Sequence, residues 1–182
     1  MARMVLVRHA EPDASWGEHP DPGLSRAGSG QAEATVGRLA AFEFASVVTS
    51  PLRRARETAA PLETHRGVTA RIEPQLGEIV TPPGVAASRP EWLRAVLGGH
   101  WAEVDPDVHR WRAAVLETVR ATTGTVIAFT HFVAINVVVG AATRDDRVWV
   151  CSPGHASITV IDVDGSDLTV AALGDQTLSR VQ

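Results

Sequence analysis

The chain has 182 residues, of which 45% are hydrophobic and 21% are charged, with a net charge of −4, and all 17 basic residues are arginine. This length and composition predict one globular domain over residues 1–182. Without lysine, the protein forms neither a lysine Schiff base nor a P-loop lysine contact. A charged side chain that binds an anion must therefore be arginine or protonated histidine.

The same composition limits the partners and the compartment. The acidic balance is not that of a protein that binds nucleic acid or an anionic membrane, and no apolar run approaches the roughly 18 residues of a membrane span. The single cysteine, Cys151, excludes an internal disulfide and is typical of the reducing cytosol. The first apolar run is too short for a signal peptide. We therefore expect a cytoplasmic protein without nucleic-acid or membrane partners, and the oligomeric state stays open.

Short apolar runs alternate with amphipathic segments along the chain. In order, they predict a strand at 4–7, a helix that begins at Ser25, a strand at 46–49, a helix that begins at Pro51 with Ser50 as its N-cap, a strand at 68–72, a long loop at 78–90, helices at 91–97 and 106–122, a strand at 125–130, a buried helix at 133–142 and a hairpin of 155–163 with 168–173. This order is typical of a three-layer α/β/α sandwich with a mostly parallel sheet and an antiparallel edge.

Charged side chains follow three of the predicted strands. Arg8 and His9 end the first strand, and His131 follows the strand at 125–130. Three arginines lie early in the helix after the second strand: Arg53, Arg54 and Arg56. Because ligands of open α/β sheets collect beyond the carboxyl ends of the strands, these groups predict an anion site, most readily for phosphate. Helical geometry alone selects none of the three arginines strongly.

Five segments carry a resemblance to a known family. They are Arg8-His9-Ala10-Glu11, Leu24-Ser25 with Gly28 and Gln31-Ala32, the run from Ser50 to Ala59, Leu76-Gly77-Glu78, and Thr130-His131. In this order they resemble the RHG(E), L[ST]xxGxxQA, SxLxRAxxTA, LxE and second-histidine motifs of the histidine phosphatase superfamily, the phosphoglycerate mutase-like proteins. The resemblance selects Arg54 among the three arginines, adds Glu78 to the site and implies a phosphoglycerate mutase-like fold.

The resemblance also implies a metal-independent phosphatase that hydrolyses a small-molecule phosphomonoester. His9 is then the nucleophile that forms a phosphohistidine intermediate. Arg8, Arg54 and His131 surround the phosphoryl oxygens. Glu78 protonates the leaving alcohol and later takes a proton from water. Since arginine and histidine supply the positive charge, no metal and no cofactor are expected.

Departures from the family motifs leave the substrate open. Ala10 and Phe132 replace the glycine that follows each histidine, and Phe132 is expected to place a ring beside the pocket and to constrain a turn that glycine leaves free. The G-x-W-E-G continuation of the mutases after Glu78 is absent. Three alternatives therefore stay open: a phosphoglycerate-type mutase, a protein phosphohistidine phosphatase, and a catalytically silent module that binds a phosphorylated ligand.

The predicted rim of the crevice is partly apolar, which suggests a leaving group with some hydrophobic surface. The rim candidates are Trp16, Pro82, Pro83, Phe132 and Val133. His155 opens the predicted hairpin and is a further candidate for the rim. Cys151 and His155 are four residues apart, but two side chains do not make a metal site.

Overall fold

The computed structural model describes residues 1–14, 19–85 and 89–177. Within them, six strands form one sheet: β1 (Ala2–Arg8), β2 (Ser46–Thr49), β3 (Arg71–Ile72), β4 (Thr125–Thr130), β5 (Ile158–Asp164) and β6 (Asp167–Ala172). Five α-helices lie between them in sequence: α1 (Arg26–Leu39), α2 (Arg53–Arg66), α3 (Arg89–Leu97), α4 (Pro106–Arg120) and α5 (Phe132–Thr143). Short 3-10 helices occupy Pro74–Leu76 and Trp101–Glu103.

The sheet has the strand order β3-β2-β4-β1-β5-β6. Strands β3, β2, β4 and β1 run parallel, whereas β5 is antiparallel to β1 and β6 is antiparallel to β5. The predicted mostly parallel sheet with an antiparallel edge is therefore confirmed. Because β1, β2 and β4 are parallel, their carboxyl ends lie at one edge of the sheet, and the chain leaves each of them there toward the residues of the site.

Helices cover both faces of the sheet, which confirms the three-layer sandwich. Side chains alternate along β1, so that Val5 and Val7 pack with residues of α1 and α2 on one face. Met4 and Leu6 face the other way and pack with residues of α3, α4 and α5. Helix α5 is almost entirely buried, as its apolar sequence predicts. Among the described residues, no helix combines the length and apolar character needed to cross a bilayer.

The start of α2 differs from the prediction. The helix begins at Arg53 instead of Pro51, and Leu52 is its N-cap, without a side-chain capping bond. Ser50 is therefore not the cap, although its Oγ accepts a 3.2 Å hydrogen bond from the Leu52 N–H. The same Oγ lies 2.7 Å from His131 Nε2. A side chain that the sequence predicts as a helix cap thus contacts the histidine that follows β4.

Two predicted strands are shorter than expected. Only Arg71 and Ile72 pair with β2, because the chain before them is tied to the end of α2: the Ala70 N–H donates to Glu63 Oε1 at 2.7 Å. The hairpin begins at Ile158 instead of residue 155, because Ala156 has a left-handed φ of 55° that no strand accommodates. Helix α3 in turn begins at Arg89, before the predicted start at 91.

Candidate active site

His9 lies at the carboxyl end of β1 and is almost fully buried. Its backbone N–H donates to the Thr130 carbonyl at 2.9 Å, which ties it to the end of the neighbouring strand β4. Its Nδ1 lies 2.8 Å from the Ala10 carbonyl. Since a carbonyl oxygen only accepts, Nδ1 carries the proton and Nε2 carries the lone pair. Nε2 is buried and has no hydrogen-bond partner among the described residues.

His131 stands beside His9, with 5.2 Å between the ring centroids. It is the N-cap residue of α5, directly after β4. Its Nε2 contacts the Ser50 hydroxyl at 2.7 Å, and its Nδ1 lies 4.0 Å from Glu78 Oε2. Glu78 Oε1 accepts a 2.9 Å bond from the Ile79 N–H. Glu78 Oε2 and His131 Nδ1 have no hydrogen-bond partner within the described part of the chain.

Two arginines bring positive charge to these groups. The buried Arg8 donates from Nη1 to the Pro153 carbonyl at 2.8 Å, and its Nη2 lies 3.1 Å from His155 Nε2. The Arg54 side chain is 12% exposed, and its Nη1 lies 3.8 Å from Asp21 Oδ1. The Arg53 side chain, in contrast, is 63% exposed and pairs with Glu57. The structure therefore places Arg54, and not Arg53, on the side of the histidines.

Burial sets the protonation states of the site. It is the main cause that lowers the pKa of His9 and of His131 well below the ordinary imidazole value, and the charges of Arg8 and Arg54 add to the effect. Burial also raises the pKa of Glu78 above the usual glutamate value, although the Ile79 N–H and the arginines oppose the shift. The site therefore favours neutral imidazoles, and the carboxyl group beside them loses its proton at a higher pH than an ordinary glutamate.

The segment after His9 is held by residues of α1 and α2. The Ala10 N–H donates to Thr58 Oγ1 at 2.9 Å, and the Glu11 N–H donates to Gln31 Oε1 at 2.9 Å. A Cβ on Gly28 would lie 2.0 Å from the Glu11 carbonyl oxygen, so only glycine allows this close approach. The second and third motifs thus position the backbone that carries His9.

The substitution of glycine by Ala10 and Phe132 has a different effect from the one expected. Among the described residues, only Arg144 and Ala156 have a positive φ without being glycine, so neither position needs glycine. The Phe132 ring is 5% exposed and contacts the Trp149 ring edge-on at 5.4 Å. The expected need for glycine in these turns is therefore not met, whereas the Phe132 ring does lie beside the site, with its centre 5.2 Å from the Arg8 guanidinium carbon.

Most of the apolar rim candidates that the structure describes are buried. Val133 and Phe132 belong to the buried core, and Pro82 is also buried, whereas Pro83 is exposed. Trp16 lies outside the described residues. These positions give little support for a leaving group with hydrophobic surface.

The sequence missed several contacts because they join side chains to distant loops. Ser50 begins one of the family motifs, but the motif does not indicate its contact with His131, and the Pro153 carbonyl has no distinctive sequence pattern. His155 was placed at the rim only as a candidate, and its ring lies 5.7 Å from that of His9. Among the described residues, no three His, Cys, Asp or Glu side chains form a group suited to a metal ion.

Comparison with known proteins places this arrangement in a family. The model of the histidine phosphatase superfamily (branch 1) matches residues 4–176. Uncharacterized protein Rv0525 of Mycobacterium tuberculosis is 36% identical over 77 residues. That match covers 40% of this chain and 38% of the relative, so it spans well under half the length of the curated protein.

Solved structures share the fold along the whole chain. Mycobacterial glucosyl-3-phosphoglycerate phosphatase Rv2419c, in complex with VO3, has a TM-score of 0.72 at 23% identity over 97% of this chain and 100% of its own. YhfR of Bacillus stearothermophilus reaches 0.74 at 23% identity and full coverage of both chains. Phosphoserine phosphatase of Entamoeba histolytica reaches 0.74 at 14% identity, over 96% of this chain and 98% of its own.

The family model therefore covers the segments that hold the two histidines, both arginines and the buried glutamate. The motif resemblance is confirmed: the chain belongs to the histidine phosphatase superfamily, branch 1.

Proposed function

We propose that the protein hydrolyses a small phosphomonoester through a phosphohistidine on Nε2 of His9. One observation carries this proposal: the bond from Nδ1 to the Ala10 carbonyl leaves Nε2 as a buried lone pair with no protein partner in the described residues. A neutral imidazole nitrogen of this kind is a nucleophile. The names of the structural relatives, which include two phosphatases of small phosphate esters, support the same reaction class.

In the first half of the proposed reaction, Nε2 attacks phosphorus while the bond to the ester oxygen breaks. Arg8 and Arg54 bind the non-bridging oxygens and offset their negative charge. His131 also donates to one of them from Nδ1, with Ser50 as the donor to its Nε2. Glu78 gives its proton to the departing oxygen, so an alcohol leaves and the carboxylate remains.

In the second half, water attacks the phosphohistidine. The Glu78 carboxylate takes a proton from this water as the oxygen bonds to phosphorus, and the bond between phosphorus and Nε2 breaks. Inorganic phosphate leaves, and His9 and Glu78 return to their starting protonation states. The guanidinium groups and His131 carry the electrostatic work in both halves, so the proposed reaction uses no metal ion.

A trapping experiment tests the nucleophile directly. The protein is mixed with a 32P-labelled phosphomonoester in the presence of EDTA, quenched in alkali, which preserves phosphohistidine, and analysed for label on the protein. We expect label and turnover with the wild type and H109A, and neither with H9A. His109 is the matched control because it is exposed and on α4.

Other outcomes would support the alternatives. Hydrolysis that EDTA abolishes, or that H9A retains, would contradict the proposal. Isomerisation of a phosphoglycerate faster than release of phosphate would favour a mutase, and turnover restricted to phosphohistidine peptides would favour a protein phosphohistidine phosphatase. Tight binding of phosphate without any label on the protein would identify a silent binding module.

A further inference from the structure

The guanidinium of Arg8 contacts a carbonyl oxygen, a histidine nitrogen and a phenylalanine ring. Its Nη1 donates to the Pro153 carbonyl at 2.8 Å, and its Nη2 lies 3.1 Å from His155 Nε2. The guanidinium carbon lies 5.2 Å from the centre of the Phe132 ring, at a distance typical of cation–π contact. The buried Arg8 Nε has no acceptor among the described residues.

A guanidinium only donates hydrogen bonds, so the 3.1 Å contact requires a lone pair on His155 Nε2. His155 is therefore neutral in this arrangement, with its proton on Nδ1. We propose that His155 is a positioning residue, whose Nε2 holds the Arg8 guanidinium in the orientation that binds the phosphoryl group. The role of Arg8 in this statement depends on the function proposed above.

The turn that carries His155 is built against the strand that carries Arg8. The Arg8 N–H donates to the Ser157 carbonyl at 3.1 Å, and the Ala156 N–H donates to the His9 carbonyl at 3.3 Å. Ala156 has a φ of 55°, a left-handed conformation that is unfavourable for alanine and that persists only where surrounding contacts enforce it. Strain of this kind in a turn next to His9 is consistent with a functional constraint.

Burial and the charge of Arg8 keep His155 neutral, which is the form that accepts a hydrogen bond from Arg8. Burial and then the Arg8 charge lower its pKa to about 4, although Glu11 opposes the shift. His9, whose ring centroid is 5.7 Å away, is neutral as well. A protonated His155 presents an N–H to Arg8 and loses the contact, so the neutral form is the one that works near neutral pH.

The contacts of Arg8 with Pro153 and His155 determine which of its N–H groups remain to bind an anion. One hydrogen on each terminal nitrogen is engaged by Pro153 or His155, which fixes rotation of the planar group. The Nε–H and the remaining terminal hydrogens then have a defined direction, as bidentate recognition of a phosphoryl group requires. Without His155, Arg8 keeps its charge but loses this orientation.

Two amide variants of His155 test which of its ring nitrogens is needed. The glutamine amide oxygen reaches about as far as imidazole Nε2, whereas the asparagine oxygen reaches only about as far as Nδ1. We expect H155N to weaken inorganic phosphate binding and to lower kcat/KM for an aryl phosphate by about tenfold or more, as for the loss of a bond to a charged group. We expect H155Q to restore both to within a few-fold of the wild type.

A double-mutant cycle shows whether His155 acts through Arg8. We expect the effect of H155N on kcat/KM to disappear in an R8A background. Equal losses in H155N and H155Q, or a loss from H155N that persists unchanged in R8A, would overturn the inference. If the wild type hydrolyses no ester, the proposed function fails, but phosphate dissociation constants of the wild type, H155N and H155Q still test the contact.

Discussion

Glu78 and His9 are driven by the same burial toward opposite changes in pKa. Burial raises the pKa of the Glu78 carboxyl and lowers that of the His9 imidazole, because in each case the charged form is disfavoured. Both shifts favour the uncharged forms that the proposed mechanism uses, a protonated Glu78 and an unprotonated His9. The proposed phosphoryl transfer needs these two uncharged forms together, because one attacks phosphorus and the other protonates the leaving oxygen.

Replacement of Glu78 tests its role as the proton donor. We expect E78Q to lower kcat/KM, which reports the transfer to His9 and not the later hydrolysis, by about 10²- to 10⁴-fold for an alkyl phosphate, whose leaving alkoxide needs a proton. The loss is expected to be much smaller for 4-nitrophenyl phosphate, because nitrophenolate leaves without protonation. Steady-state rates with both esters measure the difference.

The role of Glu78 as an acid also predicts that the reaction slows as the pH rises. For the alkyl ester, kcat/KM of the wild type is expected to fall as the pH rises through the raised pKa of Glu78, since the acid form disappears. The exposed Glu43 provides the control, and E43Q should retain wild-type rates. Equal losses for both esters in E78Q would contradict the role.

Individual site residues were predictable where a strand end marks them. Arg8, His9 and His131 follow β1 and β4, and the rule for parallel sheets brings such positions together. Arg54 was not selected by helical geometry, because Arg53, Arg54 and Arg56 all lie off the buried face of α2 and only the packing of the helix shows which of them approaches the histidines. The contacts of Ser50 and His155 depend on folding across the sheet, so no local pattern reveals them.

Helices α1 and α2 act on the site through the backbone. Thr58 of α2 accepts the Ala10 N–H, and Gln31 of α1 accepts the Glu11 N–H. Ser25, the N-cap of α1, donates its hydroxyl hydrogen to Glu11 Oε1 at 2.7 Å. These helices were predicted as packing elements, and the structure adds that their polar positions fix the segment after His9.

Two glycine substitutions in α1 test whether the close contact between Gly28 and the Glu11 carbonyl oxygen matters, apart from the effect of glycine on helix stability. We expect G28A to lower the free energy of unfolding by about 1–3 kcal/mol, because its methyl group would overlap the Glu11 carbonyl oxygen. We also expect a lower kcat, because the overlap displaces the segment that holds His9. Urea unfolding and steady-state kinetics measure the two effects.

Gly30 in the same helix is the matched control. A Cβ there meets nothing within 4 Å, so G30A should raise the free energy of unfolding by about 0.5–1 kcal/mol through helix propensity and leave kcat unchanged. A stabilising effect of G28A similar to that of G30A would show that the approach of α1 to Glu11 is not required.

The ends of a strand were predicted correctly from the sequence where the strand is buried along most of its length. Strands β2 and β4 were predicted with the observed ends, because both are apolar runs in the middle of the sheet. Strand β3 was predicted too long, since at the sheet edge only two residues pair and Glu63 captures the Ala70 N–H. Pairing competes there with side-chain contacts that the sequence does not reveal.

For the whole molecule, the buried histidines predict a loss of stability in acid. His9, His131 and His155 have lowered pKa values in the folded state, so below the ordinary pKa of about 6.5 the unfolded chain binds protons that the folded chain does not. Each such proton lowers the free energy of unfolding by about 1.4 kcal/mol per pH unit as the pH falls. Urea unfolding midpoints between pH 7.5 and 5 measure the slope.

Glu78 changes the free energy of unfolding with pH in the opposite direction from the histidines. Its folded pKa is raised, so its contribution to stability is fully present below the ordinary pKa and is lost as the pH rises through the folded value. E78Q should therefore be more stable than the wild type near pH 7 and lose stability more steeply on acidification. A shallower slope in E78Q would contradict this assignment.

The position of β1 in the sheet has a consequence for biosynthesis. Arg3 pairs with Thr125 on one side and with Asp162 on the other, so both neighbours of β1 are translated long after it. Pairing over such separations closes slowly, and an apolar strand without neighbours is prone to aggregate. A ribosome-bound chain that has not reached β4 already contains His9, Arg54 and Glu78, but it has no partner strand to align them. The candidate active site is therefore a late product of folding, and we expect the demand for chaperones to be greatest before β4 emerges.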